Sequence, residues 1–96
     1  RDSAESQVSG EDWRLLEEAV NGAYGGFVEK LCRIHRLNER EVRICILIKI
    51  GILPKDMAKL TNYSRESISS VRRRLYEKFF GEKGTPQQWD EFIDSL

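Results

Sequence analysis

The densest cluster of positively charged side chains in this 96-residue sequence consists of three adjacent arginines, Arg72, Arg73 and Arg74. They follow several small hydroxylated residues in the stretch SRESISSVRRRLYEKFF, residues 64–80. Guanidinium groups donate paired hydrogen bonds to guanine and also bind phosphates, so the stretch indicates a nucleic-acid partner. A solvated, charged helix face is the alternative interpretation of such a run.

The formal net charge of zero hides three regions of different sign. Residues 1–42 carry six Lys/Arg and nine Asp/Glu, a net charge of −3, and residues 84–96 carry three Asp/Glu and no Lys/Arg. Residues 43–83 carry ten Lys/Arg and four Asp/Glu, a net charge of +6. Because surface charges more than about 10 Å apart are largely screened at ~0.1 M salt, a partner would respond to the basic middle region.

Helical periodicity predicts how residues 64–80 are arranged. At 100° per residue, one side is an apolar stripe, made of Ile68, Val71, Leu75 and Phe79. The opposite side carries short hydroxyl and charged side chains: Glu66, Ser69, Ser70, Arg73 and Glu77. Arg72 and Arg74 fall on the two shoulders. A short-side-chain strip with a central arginine suits a helix that enters the major groove of DNA.

The rest of the chain reads as an all-α protein of about six helices. Apolar periodicity, glycine breaks and capping residues predict helices at 10–22, 26–35, 39–50, 54–61 and 65–80, and a last helix that begins at Pro86. The Ile-rich run 42–53 would also suit a strand. Asn38 and Glu41 form a capping box before this run and Gly51 can end a helix there, so we favour the helix.

Composition favours a small binding domain over an enzyme. The chain has one histidine, no Gly-rich phosphate loop and no GxSxG motif, so we expect no catalysis, cofactor or metal. We expect Cys32 and Cys45 to be buried, reduced thiols, as in a cytoplasmic protein, although a disulfide or metal pair is the alternative. No stretch resembles a membrane span or an export signal. Because the sequence begins at Arg1, we expect a fragment of a longer protein.

A short helix at 54–61, a tight connector and the basic helix 65–80 form a helix-turn-helix pattern. Met57, Ala58 and Leu60 would pack beneath Ile68 and Val71, and the small Ala58 would permit a close crossing. We therefore predict a linker remnant at 1–9, a helical lead-in at 10–36 and a helix-turn-helix DNA-binding domain at 37–96.

The segment LNEREVRICILIKIGILPKDMAKLTNYSRESISSVRRRLYEKF, residues 37–79, resembles the LuxR/GerE-type helix-turn-helix effector domain of bacterial transcription regulators. The opening of the family pattern matches at Leu37, Asn38 and Glu41, and its K-E-I-A part corresponds to Lys55–Ala58. The S-x-x-T-V part matches at Ser64, Ser67 and Ile68, and the tail matches at Arg74, Leu75, Lys78 and Phe79. The preceding segment is similar to the lead-in of a branch whose effector ends a long regulator, often after tetratricopeptide repeats, a membrane span and a coiled coil. The resemblance covers about residues 11–96.

This resemblance implies sequence-specific binding of double-stranded DNA as the output of a cytoplasmic or membrane-anchored regulator. An upstream sensor or repeat region of the same longer chain, a second copy of the chain and RNA polymerase are the further partners that we expect. With helix periodicity, it predicts base contacts from Arg65, Glu66, Ser69, Ser70 and Arg73. The predicted phosphate contacts are Lys55, Lys59, Ser64, Ser67, Arg72, Arg74 and Lys78. The chain departs from the family pattern where Leu53 replaces the usual Ser/Thr helix cap, and where Ser69 and Ser70 replace longer contact residues.

Four alternatives remain open from the sequence. Arg72 could pair internally with Glu41 or Asp56 instead of binding phosphate, and Lys55 and Lys59 could simply be solvated. The last helix could cover the core or form a dimer seam through Trp89, Phe92 and Ile93. The rival function is a protein-interaction or dimerisation module that has the helix-turn-helix shape but does not bind DNA.

Overall fold

Local capping signals determine where the helices begin. The computed structural model describes residues 9–96, and the predicted linker residues before Ser9 lie outside that range. In this range the chain forms six helices and no strand: α1 Gly10–Ala23, α2 Phe27–Ile34, α3 Glu39–Lys49, α4 Pro54–Thr61, α5 Arg65–Phe80 and α6 Pro86–Ser95. The all-α prediction is confirmed, and the Ile-rich run is helical.

Side-chain caps satisfy the free backbone amides at the starts of α3 and α6. Asn38 and Glu41 form a reciprocal capping box at α3, as Thr85 and Gln88 do at α6. Leu53 provides no side-chain hydrogen bond at the start of α4, where Pro54 occupies the first helical turn. Proline has no backbone N–H, so in the first turn it leaves no donor unpaired, and α4 begins without a polar cap.

The lead-in helices belong to the same hydrophobic core as the rest of the domain. Two glycines in the left-handed region, Gly25 at φ 66° and Gly26 at φ 83°, turn the chain between α1 and α2. Trp13 of α1 and Phe27 and Leu31 of α2 are buried in one cluster with the apolar residues of α3 to α6. The lead-in therefore supports the core that holds α5.

Helix α3 is the centre of the core. It packs against α1, α4, α5 and α6. Its buried residues lie around most of its circumference: Val42, Ile44, Cys45, Ile46, Leu47 and Ile48. A helix that is apolar on nearly all sides is stable in water only when neighbours cover it, which explains why this run resembles a buried strand in sequence.

Helices α4 and α5 form the helix-turn-helix unit. Three residues join them, and Asn62 adopts a left-handed conformation at φ 65° that ends α4. Met57 of α4 and Ile68 and Val71 of α5 are buried in the shared core. This packing leaves the opposite side of α5 at the surface.

One cysteine prediction is wrong. Cys45 is buried, but Cys32 is exposed, because it lies about 100° from Leu31 around the short helix α2, at the edge of the core-facing side. Both thiols are free.

Across residues 9–96, no helix combines the length and apolar character needed to cross a bilayer.

Candidate nucleic-acid interface

The outward strip of α5 is uncovered along its length. We use this name for Arg65, Glu66, Ser69, Ser70, Arg73 and Glu77. The charged members are exposed, and the two serines are half-buried between them. The Arg73 guanidinium makes one long hydrogen bond, from Nη2 to Ser70 Oγ at 3.3 Å. All five predicted base-contacting residues therefore lie on one accessible face.

The amino end of α5 is also open to solvent. Ser64 is exposed, and its Oγ accepts a hydrogen bond from the Ser67 amide at 3.0 Å. The first amides of a helix have no partner within that helix, and the helix dipole favours an anion there. Lys55 and Lys59 project from the neighbouring α4 and are exposed. The first amides of α5 are therefore available to a phosphate, and the two lysines are available to phosphates from α4.

Two further predicted phosphate contacts lie on one shoulder of α5. Arg74 is exposed, and its Nε lies 3.5 Å from the Ser70 carbonyl oxygen. Lys78 is also exposed, and its Nζ lies 3.4 Å from Glu41 Oε2. Glu41 thus partly neutralises Lys78, whereas Arg74 has no carboxylate within ion-pair distance in the described part of the chain.

The prediction that Arg72 contacts phosphate is wrong. Arg72 is only 3% exposed, and its Nε and Nη2 donate hydrogen bonds to the Asp90 carboxylate at 3.0 and 2.5 Å. The alternative of an internal ion pair is correct, but the partner is neither Glu41 nor Asp56. Helix α6 brings Asp90 against the shoulder of α5, so this guanidinium is enclosed between two helices.

The last helix covers the core. Trp89 and Ile93 are each 0% exposed, so neither side chain is available to a second protomer in this fold. Phe92 is half-buried, and its ring packs edge-on against Phe80 with centroids 5.0 Å apart. The predicted dimer seam is therefore wrong for Trp89 and Ile93, because the α6 stripe fills the space against α3 and α5.

Sequence reasoning missed two exposed cations near the outward strip. Arg40, in the first turn of α3, lines a surface groove of about 270 Å³ together with Arg74 and Lys78. Lys83, in the loop after α5, lines a groove of about 540 Å³ together with Arg73 and Arg74. Arg40 is distant from α5 along the chain and Lys83 lies in a loop, so the periodicity of α5 gave no direction for either side chain, although the positive charge of residues 43–83 already included Lys83.

Comparison of the chain with protein-family models, curated proteins and solved structures finds no match. The resemblance of residues 37–79 to LuxR/GerE-type domains thus stays a prediction from the sequence. What α5 binds must be inferred from the side chains that it exposes.

Proposed function

We propose that this domain binds double-stranded DNA as the output module of a bacterial transcription regulator, with α5 in the major groove. The observation that carries the proposal is the outward strip of α5. There Arg73 is exposed beside two short serines, while Arg72 is withdrawn into the core. A helix about 10–12 Å across fits a major groove about 12 Å wide, and short side chains beside Arg73 let the backbone of α5 lie close to the base pairs.

The strip has donors and acceptors suited to base edges. Arg73 can donate two hydrogen bonds to guanine, and the Glu66 carboxylate can accept one from the amino group of cytosine. Arg65 lies about two turns before Arg73, towards the amino end of α5, and offers a second guanidinium. Ser69 and Ser70 allow the backbone of α5 to approach the base pairs closely.

The phosphate contacts of the proposal come from α4 and α5. They are Lys55, Lys59, Arg74 and Lys78, all exposed, with Ser64 and Ser67 at the amino end of α5. Four neutralised phosphates predict that log affinity falls with log salt concentration at a slope of about −3.6 per protomer. Arg72 contributes nothing to this slope.

Binding of the 96-residue chain to a random pool of duplexes, at rising salt, tests the proposal. Fluorescence anisotropy should detect binding at low ionic strength, and selection from the pool should enrich one sequence. The variant Arg73→Ala should lose about 1–3 kcal/mol of discrimination at one base pair of that sequence. Lys30→Ala is the matched control, because Lys30 is exposed on α2, outside the strip.

Absence of binding at low ionic strength, or equal behaviour of Arg73→Ala and Lys30→Ala, would rule out this function. A protein-interaction module is the second candidate, favoured by Phe80, which is 44% exposed beside the half-buried Phe92. In that case sedimentation velocity should detect self-association that Phe80→Ser abolishes, and the chain should not bind duplex DNA.

A further inference from the structure

Arg40 lies beside the proposed DNA surface although it belongs to α3. Its guanidinium carbon lies 5.0 Å from the ring centroid of Tyr63, in the connector just before α5. Arg40 is exposed, and no carboxylate in residues 9–96 pairs with it. Stacking on Tyr63 orients the guanidinium and leaves its N–H donors free. The groove that Arg40 lines also contains Arg74 and Lys78.

Lys83 lies in a loop whose path is closely determined. Gly81, at φ 73°, ends α5, and its amide donates to the Glu77 carbonyl oxygen at 2.8 Å. Gly84 lies flat against the ring of Tyr76, where an added Cβ would be 2.2 Å from Cδ1. The capping box at Thr85 then fixes the far end of the loop. An ordered backbone thus presents Lys83 to the groove that it shares with Arg73 and Glu77.

The grooves that hold these two cations adjoin each other along α5. Arg74 lines both of them, together with Arg40 and Lys78 in one groove and with Arg73 and Lys83 in the other. At 100° per residue, Arg74 leaves α5 about 100° from Arg73 and about 40° from Lys78, so the two grooves follow one another around the exposed side of the helix.

We propose that Arg40 and Lys83 bind phosphates of the DNA backbone beside the major groove that α5 enters. This inference rests on the proposed function and adds two contacts from outside the helix-turn-helix unit. Phosphate contacts position a protein on the duplex, so cations from two further elements fix the rotation of α5 about its own axis. The salt slope of the domain then rises from about −3.6 to about −5.4 per protomer.

The test measures binding of the selected duplex by Arg40→Ala, Lys83→Ala and the double variant, with Lys30→Ala as the control. Loss of one phosphate contact lowers affinity roughly eightfold at ~0.1 M salt and makes the slope shallower by about 0.9. The double variant should lose roughly sixtyfold, with a slope change of about 1.8. Lys83→Arg and Arg40→Lys should retain most of the affinity.

Single-stranded DNA of the same sequence distinguishes contacts at fixed phosphates of a duplex from general attraction. On the flexible single strand, Arg40→Ala and Lys83→Ala should each lose less affinity than on the duplex, and equal losses on both substrates would contradict contacts at fixed positions. If the wild-type chain binds the duplex but both single variants behave as Lys30→Ala does, this inference is wrong and the proposed function stands. If the wild-type chain does not bind, both are wrong.

Gly84→Ala tests whether the loop positions Lys83. The added methyl group must displace the loop or the Tyr76 ring, so affinity should fall at least as far as in Lys83→Ala. Urea unfolding identifies conditions in which the variant is folded. A folded Gly84→Ala protein with wild-type affinity and salt slope would show that the loop does not position a phosphate contact.

Discussion

Arg72 and Asp90 form a two-pronged ion pair that joins α5 to α6. The Arg72 side chain is almost completely enclosed, whereas that of Asp90 keeps 26% of its exposure. Parallel hydrogen bonds of this kind are among the strongest that side chains form. Of the three adjacent arginines, one therefore stabilises the fold, while Arg73 and Arg74 remain exposed.

Removing one partner of this ion pair should destabilise the domain. We expect Arg72→Ala to lower the free energy of unfolding by roughly 3 kcal/mol, at the lower end of the range for buried pairs because water reaches Asp90. Urea unfolding measures the loss. The salt slope of DNA binding by the folded variant should equal that of the wild type.

The variant Arg72→Met with Asp90→Leu provides the control. Replacing both partners by apolar side chains leaves no unpaired charge, so the double variant should recover most of the stability. A shallower salt slope for folded Arg72→Ala would contradict the structural role and restore Arg72 to the phosphate contacts.

Trp89 should be essential for folding and irrelevant to self-association. Trp89→Ala removes a fully buried indole, which typically costs about 3–5 kcal/mol. Among residues 9–96 its N–H makes no well-formed hydrogen bond, so the loss comes mainly from packing. Urea unfolding and sedimentation velocity check both parts. A stable Trp89→Ala protein with an altered oligomeric state would instead support the dimer seam.

Lys49, on α3, donates hydrogen bonds to backbone carbonyl groups at the carboxyl end of α6. Its Nζ donates to the carbonyl oxygens of Ile93 at 3.2 Å and Leu96 at 2.8 Å, and it lies 5.0 Å from the ring centroid of Tyr24. We expect Lys49→Met to lower the free energy of unfolding by about 1–2 kcal/mol, because carbonyl groups at the helix end lose their donor. Thermal unfolding compared with Lys30→Met measures this. Equal midpoints for the two variants would contradict the capping role.

The Cys45 thiol should make stability fall at alkaline pH. Burial raises its pKa well above the usual 9.0, and the nearby Trp89 indole only partly opposes this. Above about pH 9 the unfolded chain loses this proton while the folded chain keeps it, so unfolding becomes easier as pH rises. The contribution to the slope approaches roughly 1.4 kcal/mol per pH unit.

Urea unfolding from about pH 8 to about pH 10 measures this slope in the wild type, Cys45→Ala and Cys32→Ala. Cys45→Ala should have a shallower decline, and the exposed Cys32 should make no difference. The same burial predicts that a thiol reagent modifies Cys32 in the folded protein and reaches Cys45 only after unfolding. Equal pH slopes for the wild type and Cys45→Ala would contradict this account.

Residues close together in sequence determined the helices. The capping pairs Asn38 with Glu41 and Thr85 with Gln88 act over three residues, so helix starts could be predicted from local pattern alone. The same holds for the outward strip of α5, because a regular helix assigns each side chain a direction. Accordingly, five of the predicted contact residues lie on one exposed face.

Only the tertiary structure decided which shoulder residues remain free. Arg72 and Arg74 lie on opposite shoulders of the helical wheel, with Arg72 nearer the apolar stripe, but only α6 places Asp90 beside Arg72 and leaves Arg74 at the surface. Likewise, α3 and the loop after α5 bring Arg40 and Lys83 to grooves that Arg74 also lines. These outcomes depend on packing between helices that are distant in sequence, and periodicity within one helix carries no information about the neighbour that will cover it.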